Sequence, residues 1–127
     1  MFEKLDLTRM AQDMAARAGA RMGVIARNVA NADTPGFQAM DLPSFAETYQ
    51  ENGSAMRATR AGHFGNADQP QEPQLRRTKG AGAPNGNTVS LEQEMVKTAS
   101  VRQDHEMALA IYRNTSDIIR ASLGRNR

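Results

Sequence analysis

Asn28-Val29-Ala30-Asn31-Ala32-Asp33-Thr34-Pro35-Gly36-Phe37 is the stretch where a long helical pattern stops, and its reading decides the fold. Pro35 disfavours the helical conformation at Thr34 and has no amide hydrogen to donate. Pro-Gly at the two central positions spells a type II turn, because glycine tolerates the positive φ required there. Asn28 and Asn31 lie three apart on roughly one face, where their carboxamides can bond backbone groups at the end of the ladder. Pro35 and Gly36 set the exit direction, and Phe37 can pack back on the helix.

Upstream of this stop, residues from about Leu5 to Ala32 read as one helix. Leu7, Ala11, Met14, Ala18, Met22, Ile25 and Val29 fall on a single face at spacings of four and three. Leu7, Ala18 and Val29 recur at eleven residues, which predicts a nearly straight stripe. Gly19 and Gly23 each cost about 1 kcal/mol relative to alanine, so the helix is weak until something packs on it. Arg9, Asp13, Arg17 and Arg27 occupy the opposite, solvated face.

Downstream, Ser44 and Glu47 have the spacing of a capping box, which predicts a short helix through about Gln50. From Gly53 to Thr88 the only large apolar residues are Met56, Phe64 and Leu75. With Pro70, Pro73 and Pro84 among Gly, Asn and Gln, this reads as an extended, mobile loop with room for a short hairpin. Ser90 and Gln93 repeat the capping-box spacing, and Glu92 and Glu94 suit the positive end of a helix dipole. A four-three rhythm follows through Leu91, Met95, Thr98, Arg102, His105, Leu109, Tyr112, Ser116, Ile119 and Leu123. Arg102 and His105 are odd occupants of such a seam. Beside it runs a second stripe of Val101, Ala108, Ile111, Thr115 and Ile118. Gly124 stops the helix, with Arg120 and Arg125 at its negative end.

The expected fold is therefore mainly α, with N- and C-terminal helices pairing as a coiled coil around a loop-rich middle. Three parts are expected: residues 1–33, an assembly helix; 34–89, the turn, short helix and insert; and 90–127, a second assembly helix. An ordinary helical hairpin with a mobile connection is the plain alternative. The rhythm assigns the Leu91–Leu123 seam to the N-terminal helix and leaves Val101, Ala108 and Ile118 to seek neighbours. A chain of 127 residues with so sparse a middle is expected to be marginal alone and to gain stability from partners.

Composition excludes several classes. No cysteine is present, so disulfides and thiolate metal sites are out. The net charge is +2, and basic residues alternate with acidic ones instead of forming a single-sign stripe. An arginine-rich, helical nucleic-acid-binding protein is the competing reading from another class, but no nucleic-acid partner is expected. Nothing approaches the roughly 20 apolar residues of a membrane span, and Glu3 and Asp6 sit where a signal peptide would be basic. His105 and Glu106 point to different faces, no second histidine follows four residues on, and Gly80-Ala81-Gly82 lacks a phosphate-binding lysine. No catalytic, cofactor or metal site is expected, and the chain is not read as an enzyme.

The quoted stretch, with Asn28, Ala30, Asn31, Thr34, Pro35, Gly36 and Phe37 in place, resembles the signature of the axial proteins of the bacterial flagellum, the rod, hook and related subunits. Ala39 and Asp41, Met56-Arg57-Ala58-Thr59 with Gly62-His63, Asn87 through Met95, Ile111-Tyr112-Arg113 and Leu123-Gly124 look most like its short proximal-rod members. Another short rod protein of the family is the near alternative. The resemblance implies a periplasmic rod subunit of the basal body, exported unfolded through the flagellar type III apparatus without a cleaved signal peptide. Its partners would be other rod subunits, the basal-body ring with its adaptor, and the export apparatus. The assembly contacts would fall on the apolar stripes: Leu7, Met14, Ala18, Met22, Ile25 and Val29 in front, then Leu91, Met95, Val101, Leu109, Ile111, Tyr112, Ile118, Ile119 and Leu123 behind. Phe45 and Tyr49, four apart, resemble the aromatic element of early export substrates, although plain hydrophobic packing explains them as well.

Overall fold

The computed structural model describes residues 2–52, 74–78, 80 and 82–124. Two long helices dominate: α1, Phe2–Ala30, and α3, Leu91–Ser122. Between them lie β1 (Met40–Asp41), α2 (Phe45–Asn52) and β2 (Arg76–Arg77). Asn28 at the end of α1 bonds Glu94 at the start of α3, while Ala18 and Ile25 cluster with Val101. The two helices thus run antiparallel, and the fold is a long hairpin with its elaboration at one end. The core is thin. Most of the expected loop, including Met56-Arg57-Ala58-Thr59 and Gly62-His63, lies outside the described residues, as does Arg125.

The local signals work as chemistry predicts. Phe37 N–H donates to Thr34 O at 3.3 Å, and Gly36 has φ 72°, closing the Thr34–Phe37 turn with glycine in the left-handed conformation. Ser44 and Glu47 bond reciprocally: Ser44 N–H to Glu47 Oε2 at 2.9 Å, Glu47 N–H to Ser44 Oγ at 3.3 Å. Ser90 caps α3 through the Gln93 amide. The helix ends shift by a few residues: α1 begins at Phe2 and stops at Ala30, and α2 continues to Asn52. The loop-rich middle carries a small sheet, as expected, although its first strand lies before the insert. Strand β2 pairs antiparallel with β1, Met40 opposite Arg77 and Asp41 opposite Arg76.

The seam differs from the expected one. On α3 the buried residues are Glu94, Val101, Ala108 and Thr115, a strict step of seven. Val101 and Ala108 were expected to face outward, yet both are completely buried. Much of the four-three seam is exposed instead, Leu91 by 50%, Met95 by 72% and Leu123 by 67%, while His105, Leu109, Ser116 and Ile119 are half-buried at its edge. On α1 the buried apolar residues are Ala11, Ala18 and Ile25, again seven apart, while Leu7 and Val29 are exposed. The cause is close approach. Alanine at 11, 18 and 108 lets the backbones come near, and interaxial distance depends on the side chains at the contact. A leucine or methionine at those three positions would force the helices apart, so alanines line the interior beside Ile25 and Val101. Arg102 then needs no place in a seam: it is exposed and pairs with Glu106 at 3.4 Å.

Candidate functional site

The signature residues build the junction where the chain leaves α1, and most of its hydrogen bonds are long-range. Asn28 is 1% exposed. Its Oδ1 accepts from Met40 N–H at 3.1 Å, and its Nδ2 donates to Met40 O at 2.6 Å. One carboxamide therefore pairs with both backbone groups of Met40 as a strand neighbour would, holding β1 against the helix. Nδ2 also donates to Glu94 Oε2 at 3.0 Å, linking the exit of α1 to the entry of α3.

Glu94 is a fully buried carboxylate at the end of an apolar seam. Lys97 Nζ donates to its Oε1 at 2.7 Å and lies 3.7 Å from Asp41. Asp41 in turn takes a two-pronged contact from Arg21, Nε at 2.8 Å and Nη2 at 2.9 Å. Burial pushes the Asp41 carboxyl up, but the Arg21 bonds and charge, the Leu42 amide and Lys97 together hold it below the ordinary carboxylate value. The hydrogen bonds that Arg21 donates to Asp41 likewise raise Arg21, against its own desolvation. A buried charge with several partners penalises every register that would separate them. Asn28, Glu94, Lys97, Asp41 and Arg21 thus align α1, β1 and α3 with one another.

A second clamp comes from the segment entering α3. Asn87 is 3% exposed. Its Nδ2 faces Asn31 O, Ala32 O and Thr34 O at 3.0, 2.6 and 2.9 Å, and its Oδ1 accepts from Val89 N–H at 2.8 Å. Carbonyls at a helix end have no partner in the ladder. Here Asn31 O and Thr34 O accept from the Thr34 and Phe37 amides, and a residue more than fifty positions away adds a donor that also reaches Ala32 O. Gly36 N–H donates to Asn85 O at 3.0 Å and Thr88 N–H to Phe37 O at 3.0 Å, so the leaving and entering chains are stitched together. The Asn31 side chain stays local, its Nδ2 donating to Arg27 O at 2.8 Å.

Other predicted residues lie apart from this junction. Met14 and Met22 are half-buried on α1, and Leu109, Ile111 and Ile119 on α3. Val96, Met107 and Ile118 are exposed on the outside of α3 at a step of eleven. Phe45 and Tyr49 stack on each other, ring centres 5.9 Å apart. Arg17 bonds Thr48 and ties α2 to α1, and a cleft of about 210 Å³ lined by Met14, Phe45, Val101 and Asp104 opens beside them. Charges on the outer face alternate in sign, as in the Arg102–Glu106 and Arg120–Asp117 pairs, unlike a phosphate-tracking stripe. Glu94, Asn87 and the Arg21–Asp41 pair carried no signal as junction residues, because Glu94 also suits a helix N-terminus and a lone Asn in a loop has no pattern.

A single long-armed hairpin closed by an Asn-rich junction defines a class. Residues 9–38, which span most of α1 and the turn, match the family described as Flagella basal body rod protein. Among curated relatives, the Flagellar basal body rod protein FlgB of Yersinia ruckeri is 33% identical over 122 residues, covering 87% of this chain and 89% of its own. That of Agrobacterium fabrum is 25% identical over 118 residues, 88% of each. That of Aeromonas hydrophila is 36% identical over 78 residues, 58% of this chain and 59% of its own. The chain belongs to the flagellar basal body rod protein family, with FlgB proteins as its relatives. It is accordingly a structural component of the flagellar basal body. Among the described residues, no helix is long and apolar enough to cross a membrane.

Proposed function

We propose that the chain is a subunit of the proximal rod, exported unfolded through the flagellar type III apparatus and assembled in the periplasm through its terminal helices. Other rod subunits, the basal-body ring and its adaptor are its partners in that reading. The segments 1–33 and 90–127 carry the contacts between subunits, and 34–89 sets their relative register.

One observation supports this most directly. After α1 and α3 have packed, α3 still exposes Leu91 and Met95 on one flank and Val96, Met107 and Ile118 on another. Apolar flanks exposed along a helix in this way are sites of association. The thin core fits the same reading, since a hairpin that buries mainly alanines gains its stability from neighbours. Charge placed on the Ile118 flank tests it. Ile118→Asp should leave the monomer soluble with unchanged helix content and prevent rod formation, read by motility complementation and by electron microscopy of isolated basal bodies. Normal rods from that variant would remove the role given to the outer α3 face.

A further inference from the structure

The clamp contains the sequence Asn85-Gly86, and Asn followed by Gly is the pairing in which a backbone amide is least hindered from attacking the preceding side chain. The attack joins Gly86 N to Asn85 Cγ. The carboxamide C–N bond breaks, and ammonia leaves with the proton that Gly86 N gives up. Water then opens the ring at either carbonyl, leaving aspartate or isoaspartate at position 85. Water is the only co-reactant.

We infer that Asn85 is a deamidation site of this protein, protected while the junction is closed and exposed to reaction whenever the junction opens. Asn85 is solvent-exposed, so water and hydroxide reach it freely. Three contacts hold the Asn85–Gly86 turn in place. Gly86 N–H donates to Ala83 O at 2.8 Å, which ties up the attacking nitrogen. Asn85 O accepts from Gly36 N–H at 3.0 Å, and Asn85 Oδ1 accepts from Asn87 N–H at 3.0 Å. Gly86 has φ 78°, and a Cβ built on it would lie 3.5 Å from Gly36 Cα, so the two turns are pressed together. Ring closure needs rotation about the Asn85–Gly86 link and loss of the Gly86 proton, and the closed junction opposes both. The Asn87 amide polarises the side-chain carbonyl and acts the other way, but it activates only the acceptor and leaves the nucleophile bound.

The reaction damages the clamp that restrains it. In an isoaspartyl link the main chain runs through Cβ and Cγ of residue 85, so the carbonyl that receives Gly36 becomes a carboxylate branch and the amide that reaches Ala83 moves one methylene further along the chain. The spacing that lets both bonds form is lost, so the modification disfavours the closed junction.

The test follows the whole chain at neutral pH, in sulfate to close the hairpin and in urea to open it. Peptide mapping by mass spectrometry, with an isoaspartate-specific methyltransferase assay, gives the rate at each Asn. A synthetic peptide of residues 82–89 in the same solvents corrects for solvent effects. The corrected rate at Asn85 is expected to rise about tenfold or more from sulfate to urea, tracking loss of Gly86 amide protection in the same samples. Asn87→Ala, which loosens the clamp, should raise the rate in sulfate at Asn85 but not at Asn52, the other Asn-Gly pair. A smaller rise, an unprotected Gly86 amide in sulfate, or equal acceleration at both sites would overturn the inference. None of these outcomes depends on rod assembly.

Discussion

Replacing Asn87 isolates the physics of the junction, because one side chain there does two opposite things. Its Nδ2 donates to the carbonyls that end α1, and its Oδ1 accepts from Val89 N–H. Two protons serve three oxygens, so about two full hydrogen bonds are lost on the donor side in Asn87→Ala. A neutral bond contributes about 1 kcal/mol net, and an amide left without its acceptor costs about 1–2 kcal/mol more. The sum is a loss of about 3–4 kcal/mol, reduced toward ~2 kcal/mol where water reaches the carbonyl of the exposed Thr34. With a urea slope of about 1–2 kcal/mol per molar for a chain this small, the midpoint should fall by about 1–3 M. Sulfate in both samples provides a folded baseline for circular dichroism.

Asn87→Asp sharpens the experiment. It is almost isosteric and keeps Oδ1 for Val89, but it aims a carboxylate oxygen at three carbonyl oxygens. The charged form is disfavoured there, so the folded-state pKa must lie above the ordinary value near 3.9. At neutral pH Asn87→Asp should therefore be less stable than Asn87→Ala. As pH falls through the raised folded value the acid becomes a neutral donor, and the gap should close. A size argument gives the reverse order, with alanine worse at every pH. If Asn87→Asp equals or exceeds Asn87→Ala in stability at pH 7, the clamp does not work by donation to the helix end.

Asp41, held below its ordinary value, makes the fold acid-sensitive. The unfolded chain binds its proton first, so this contribution is full above about pH 4 and is lost as pH drops through the lower folded value. Asp41→Asn should flatten that limb in acid titrations of helix content. Glu94→Ala should cost about 2 kcal/mol, because Asn28 keeps Met40 and Lys97 keeps Asp41 when the carboxylate is removed; an unchanged urea midpoint would refute this. Gly36→Ala should cost about 1–2 kcal/mol, with φ 72° as the sole cause. Nothing lies within 4 Å of the added Cβ, so a substantially larger loss in the same titration would point to an unseen contact.

The helices and their stops were legible from residues close together in the chain. Pro35-Gly36 needs only its own backbone to end α1, and Ser44 with Glu47 needs only one turn to start α2. The signature was legible too, because it packs a helix exit, a turn and two carboxamides into ten positions. Which face of α3 turns inward was not legible. Counting apolar bulk favours Leu91, Met95 and Leu123, whereas close approach of two backbones favours Val101, Ala108 and Thr115. That choice depends on a partner surface, Ala11 and Ala18, with a chain segment of about sixty residues between. The junction was hidden for the same reason. Asn28 reads as a cap for its own helix, and in the fold it holds Met40 and Glu94 instead. By itself the sequence determined two long helices, the turn that ends the first and the family they belong to, since these rest on local sterics and adjacent hydrogen bonds. Only the tertiary structure decided the inner seam, the buried Glu94 and the Asn87 clamp, because each exists where groups distant in sequence remove one another from water.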